Sequence, residues 1–159
     1  TTNMTSNDLG QWVRANYAVE GLSEPVLTVM SFGFSRGLPR NADLVFDMRF
    51  LRNPHWSAEL RPGTGLDQAV IDYIRLDPAY DTVLSQIETL LDTVVPRYIQ
   101  SGKSYITIAI GCTGGRHRSV HVADRIARRL RESGFSPTVV HRDLSAVPKD
   151  SLEAGPAKQ

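Results

Sequence analysis

The β-branched, apolar run Tyr105-Ile-Thr-Ile-Ala-Ile110 feeds directly into Gly111-Cys-Thr-Gly-Gly-Arg-His-Arg-Ser119, after which Ser119 to Ser133 carries apolar residues at helical spacing. The first run fits a buried strand and the last an amphipathic helix. A buried strand that turns through glycines into a helix is the building block of layered α/β folds, and it constrains this chain more than any other stretch. Such a turn aims backbone N–H groups and the positive end of a helix at whatever lies above the strand, which favours phosphate or carboxylate. Arg116 and Arg118 add forked, charge-assisted donors. The whole segment, with Cys112, Thr113, Gly114, Gly115, His117 and Ser119, reads as an anion pocket.

The rest of the chain alternates strand and helix signals in a way that fits this unit. Ser6 is placed to cap a short helix with Leu9, Trp12, Val13 and Tyr17 on one stripe, and Gly21 to Pro25 forms a connector. Val26 to Ser31 reads as a first strand and Leu44 to Phe46 as a short second one, ending at Asp47 and Arg49. Arg52 to Gly65, with two prolines and two glycines, is expected to be irregular and to fold over the site. A helix is predicted over Leu66–Arg75, and a longer one opening at Asp77 and Pro78, kinked or interrupted at Pro96. Val122, Ala123, Ile126, Ala127 and Leu130 face the core from the helix after the turn. Gly134 is its C-terminal cap, and Pro137 to His141 is a last strand. From Asp143 onward the polar tail is expected to fray. The pattern predicts an α/β, three-layer-like sandwich with a mostly parallel sheet of four or more strands. Its ligands would sit beyond the carboxyl ends of the strands, where Ser31 to Arg36, Asp47 to Trp56 and Gly111 to Ser119 converge.

Composition sets bounds on function. The chain has 159 residues, enough for one domain, and a formal net charge of +1 argues neither for nor against nucleic acid. Local clustering of Arg116, Arg118, Arg125, Arg128, Arg129 and Arg131 is what suggests a phosphate backbone as partner. Asp124 and Glu132 dilute that charge, so a solvated helix face is the plain alternative. No apolar run approaches the roughly 18 residues of a membrane span, and no signal-like N-terminus is visible, so the expected setting is cytoplasmic. A single cysteine, Cys112, excludes an internal disulfide and leaves a buried small residue, a reactive thiol or a backbone donor. No metal-ligand cluster stands out.

Ser31-Phe-Gly-Phe34, Asp47-Met-Arg-Phe-Leu51 with Asn53-Pro-His-Trp56, Arg61-Pro-Gly-Thr-Gly-Leu66 and Gly111 to Ser119 together resemble the C-terminal domain of the RapZ/YvcJ family, from about Val26 to Asp143. The resemblance implies similarity to a phosphofructokinase subdomain, with residues 1–22 as a junction, 23–145 as the ligand-binding domain and 146–159 as a disordered tail. It implies an ATP- or GTP-binding P-loop domain N-terminal to this part, since G-x-x-x-x-G-K-[ST] does not occur here; no cofactor is expected in this chain. It further implies a sensor of glucosamine-6-phosphate that assembles as an oligomer and presents small RNA to a ribonuclease or another regulatory protein. Thr113, Gly114, Gly115 and Arg118 would hold the phosphate, with Cys112 and Ser119 as neighbours and His55 and Ser104 closing the pocket or holding the sugar. Ser31, Gly33, Asp47 and Arg49 stand beside them. RNA would be met by Arg116, Arg125, Arg128 and Arg129, although the nearly neutral tail of this chain departs from RNA-binding relatives.

A different class fits the same residues. Cys112-x5-Arg118-Ser119 has the spacing of the phosphate loop of cysteine-dependent phosphatases, in which a thiolate attacks phosphorus and an aspartic acid, here Asp47 or Asp67, protonates the leaving group. Neither aspartate stands in a recognisable acid loop. Asp47 and Arg49 also fit a simple ion pair, and His55 a loop histidine bonded to backbone.

Overall fold

Residues 24–145 are described by the structure, a computed structural model. The expected helix after Ser6, the junction through residue 22 and the tail from residue 146 lie outside the described residues. Four strands, β1 (Val26–Gly33), β2 (Leu44–Asp47), β3 (Tyr105–Cys112) and β4 (Thr138–His141), form one sheet in the order β2-β3-β1-β4 with every pair parallel. Three helices join them: α1 (Gln68–Arg75), α2 (Tyr80–Gln100) and α3 (Arg118–Glu132).

Burial alternates along the strands because successive side chains point to opposite faces. Leu27 and Val29 of β1 lie level with Ile106 and Ile108 of β3, and these residues form the core with Leu84, Leu91 and Val95 of α2 and Val122, Ile126 and Leu130 of α3. The opposite face carries Val26, Val45, Tyr105 and Val140, all exposed. Among the described residues the helices thus cover one face of the sheet and make two layers; a third layer is not among them.

Strand and helix positions follow the sequence reading, with three differences of substance. First, α2 runs without interruption through Pro96. A proline forfeits one i→i−4 hydrogen bond, and here Val95, Pro96 and Ile99 are all buried against the core, so packing holds the helix together. Second, Arg52 to Gly65 is not structureless. Pro54 to Trp56 form a 3-10 turn in which the Asn53 side chain accepts the His55 N–H at 3.1 Å, and successive turns follow from Ser57 to Gly63. Third, Asp143 does not fray: its side chain is buried and accepts the Gly33 N–H at 2.7 Å. A carboxylate that caps a strand end from 110 residues away leaves no local signature.

Helix ends obey local chemistry. Asp77 accepts the Ala79 N–H at 2.8 Å and the Arg52 N–H at 2.9 Å, fixing the turn ahead of α2. Gly134, at φ 95°, ends α3: its N–H bonds the Arg131 carbonyl while the Phe135 N–H bonds that of Leu130. Both bonds belong to the Schellman arrangement that glycine favours.

Candidate functional site

β1 and β3 run side by side for eight residues and finish level, Gly33 against Cys112. The turn from Thr113 to His117 then leads from the carboxyl end of β3 to the start of α3. Thr113 and Gly114 are exposed at its crest, while Gly115 is buried with φ 80°. Close packing explains the glycines. A Cβ on Gly33 would stand 2.5 Å from the Gly114 carbonyl carbon, and one on Gly115 would stand 2.6 Å from the Gly33 nitrogen. The turn therefore rests directly on the end of β1, and Ser35 ties it down by donating its N–H to the Thr113 carbonyl at 3.1 Å.

Among the described residues, the backbone N–H groups of Thr113, Gly114, Gly115 and Arg116 donate to no carbonyl or side chain. Four successive uncommitted donors ahead of a helix N-terminus concentrate partial positive charge in the turn. It opens at the carboxyl edge of a parallel sheet.

The two arginines of the turn act differently from simple forked ligands. Arg118 is buried; its Nη1 donates to the carbonyls of Arg49 at 2.7 Å and Leu51 at 3.0 Å, and its Nη2 reaches Thr113 Oγ1 at 3.4 Å. It clasps the segment after β2 onto the turn, while its buried Nε has no partner. Burial pushes this guanidinium below its ordinary pKa, against the pull of the neighbouring Cys112 thiol and Asp47 carboxylate. Arg116 donates to the carbonyls of Leu144 at 2.8 Å and Pro62 at 3.4 Å, joining the turn to the segment after β4 and to the 52–65 loop.

That loop does pack against the site. Gly65 donates to the Arg116 carbonyl at 2.8 Å and lies against the His117 carbonyl, and His117 Nε2 meets the Arg61 carbonyl at 3.1 Å. Burial lowers the His117 pKa, with hydrogen bonds to Arg61 and Gly63 opposing it. His55 is half-buried, with its carbonyl accepting from Arg61 at 2.6 Å and its ring edge-on to Trp56, so the chain does bring it to the flank of the turn.

Other expected site residues scatter. Asp47 and Arg49 form a bidentate, half-exposed ion pair at 2.7 Å beside the mouth, and the Arg49 hydrogen bond lowers the Asp47 pKa; Arg49 also stands over the Phe34 ring at 4.0 Å. Cys112 is buried and donates its thiol to Ser119 Oγ at 3.1 Å. Asp67 accepts the Thr64 N–H at 2.7 Å, closing a turn before α1. Ser31 points into the sheet's packed face, bonding His141 Nδ1 at 2.8 Å, whose Nε2 meets Asp124 at 3.0 Å. Ser104 is displaced from the group altogether. It precedes β3, at the opposite end of that strand and about 26 Å from Cys112.

The basic helix face is mostly committed. Arg125 pairs with Glu88 at 3.2 Å and Arg129 with Asp92 at 2.6 Å, both across the α2–α3 seam, and Arg131 reaches the Pro137 carbonyl at 3.3 Å. Sequence reasoning missed Asp143 as the residue that holds Gly33 under the turn. No described helix is long and apolar enough to cross a membrane, and no cluster of three metal-ligating side chains occurs among the described residues.

Comparison with known proteins agrees with the motifs. A family model described as the RapZ C-terminal domain matches residues 25–145. A "Nucleotide-binding protein" of Sphingopyxis alaskensis is 62% identical over 156 residues, covering 98% of this chain and 49% of that protein. Proteins of the same name from Novosphingobium aromaticivorans and Rhizorhabdus wittichii are 56% and 54% identical, with 96% and 97% of this chain covered and 50% and 49% of theirs. The chain spans about half the length of these relatives.

Proposed function

The chain belongs to the RapZ C-terminal domain family, and from that membership we propose that it is the ligand-sensing adaptor part of a longer cytoplasmic protein. Its ligand is a phosphorylated amino sugar of the glucosamine-6-phosphate kind, held at the turn between β3 and α3. The observation that carries this reading is the row of uncommitted N–H groups from Thr113 to Arg116 at the start of α3. They suit the terminal oxygens of a phosphate, and the exposed Thr113 adds its hydroxyl at the crest of the same turn. His55 and the paired Asp47 and Arg49 flank the turn, on the side where a sugar would lie. ATP or GTP binding belongs to the other half of the longer protein, whose curated relatives carry the name nucleotide-binding protein.

Calorimetry with glucosamine-6-phosphate tests this, using Gly114→Ala as the discriminating variant. A Cβ at Gly114 meets nothing within 4 Å, so the substitution spares the fold and places a methyl where the phosphate would rest. The expected result is saturable binding that weakens about tenfold or more in the variant. No heat from the parent chain, or unchanged affinity in Gly114→Ala, counts against the site.

One contact favours a second reading as a cysteine-dependent phosphatase: the Cys112 thiol lies 3.1 Å from Ser119 Oγ beside Arg118. Against it, Asp47 is tied to Arg49 and Asp67 to Thr64, leaving neither as a free acid. Release of inorganic phosphate during the same titration, abolished in Cys112→Ser, would favour the enzyme; binding without release favours the sensor.

RNA contact and self-association complete the proposed adaptor role. Of the arginines assigned to RNA, Arg116, Arg125 and Arg129 are engaged within the fold, leaving Arg128 as the exposed one. Sedimentation of the chain with and without a structured RNA reads both ideas at once. A species heavier than a monomer and a salt-sensitive shift with RNA are expected; a clean monomer that ignores RNA at low salt removes them.

A further inference from the structure

A second concavity, about 410 Å³, opens between α1, α2 and α3, with Tyr80, His121 and the guanidinium groups of Arg75, Arg125 and Arg128 in its lining. At its floor the Tyr80 hydroxyl and His121 Nε2 are 2.6 Å apart, both side chains are buried, and their rings stack at 5.8 Å. The Arg125 guanidinium stands 5.2 Å over the Tyr80 ring and is neutralised by Glu88, with Asp81 at 4.0 Å. Arg129 is taken up by Asp92.

Two charges remain. Arg75, in the last turn of α1, and Arg128, on α3, have no hydrogen bond or ion pair among the described residues. Their field is felt at the floor: burial first, then Arg125, Arg75 and Arg128, push His121 down to about 4, with Asp124 alone opposing among the principal causes. At neutral pH the imidazole is uncharged, so the positive charge left at the cavity is that of Arg75 and Arg128, formally balanced by the exposed carboxylates of Asp81 and Glu132. Two guanidinium side chains without a partner among the described residues, both lining one polar concavity, supply the forked donors that a tetrahedral oxyanion takes. The remaining lining carboxylates, Asp81 and Glu132, sit exposed at the rim. They disfavour a long polyanion more than a single compact anion, because a nucleic-acid backbone would have to run past them.

We propose that this cavity is a second anion site, binding inorganic phosphate or the phosphate group of a small monoester through Arg75 and Arg128, independently of the turn between β3 and α3. The test is NMR of the 159-residue chain, observing the His121 imidazole and the arginine Nε–H signals during titration with inorganic phosphate and then methyl phosphate. Saturable shifts at His121, Arg75 and Arg128 are expected, and binding about tenfold or more weaker in the Arg75→Gln/Arg128→Gln variant. Both side chains are exposed, so that variant keeps the fold, which the Tyr80 and His121 signals report directly. Gly114→Ala should leave these shifts intact, separating this site from the turn. Response to both probes identifies a phosphate-ester site, and response to inorganic phosphate alone a free-ion site. Three results overturn the proposal: no saturable shift, shifts that persist in the double variant, or a structured RNA moving the same signals where neither phosphate does.

Discussion

Gly114 and Gly115 are adjacent, yet the fold treats them in opposite ways. Gly115 needs a left-handed backbone and its hydrogen faces the Gly33 nitrogen, whereas Gly114 faces open space. Gly115→Ala is therefore expected to cost about 2 kcal/mol or more through backbone strain and overpacking. Gly114→Ala should stay within about 0.5 kcal/mol of the parent. Denaturant midpoints for the two variants check this, and equal losses would contradict the packing. The glycine-rich turn between a buried strand and a helix was legible in the sequence, because it follows from residue types at adjacent positions. Which glycine is confined was not, since Gly33 imposes that confinement from the end of another strand. Arg118 makes the same point: its charge suggested a ligand contact, but the carbonyls of Arg49 and Leu51, which occupy its Nη1, come from a segment that only the fold brings near.

At the scale of elements, α3 begins beside two buried histidines, His117 just before it and His121 in its first turn. Both His117 and His121 have lowered pKa values, chiefly through burial. A base whose pKa falls on folding binds fewer protons in the native state than in the unfolded chain, so its contribution is fully present above the unfolded value near 6.5 and is lost as pH drops toward the folded one. For His121, held at about 4, the loss amounts to about 3 kcal/mol between those limits. Stability measured by denaturant from pH 7 to pH 4 should fall in the parent and fall less in His121→Gln. Parallel curves would show that the histidine is not buried as described. The helical period that placed Val122, Ile126 and Leu130 in the core was visible in the sequence. The Tyr80–His121 contact was not, because it depends on how α2 crosses α3.

Across the whole molecule, the parallel α/β architecture was readable because strands separated by helix-length segments leave few other topologies. The strand order was not readable, as it is set by which edges meet. β1 lies between β3 and β4, so neither of its neighbours follows it directly in the chain. Tyr105 and Val45 looked like ordinary strand residues, and only the sheet reveals that they share the face left uncovered by the described helices. The seam between Gly33 and Asp143 has a temporal consequence. Synthesis runs from the amino end, and β1 with its Gly33 emerges long before the carboxylate that holds it. On the ribosome the mouth of the turn stays unfastened until the residues just past β4 have been made. The contact between the end of β1 and the turn is thus fastened only after β4 has been made, and a product cut short before Asp143 would retain α1, α2 and α3 yet lack that fastening.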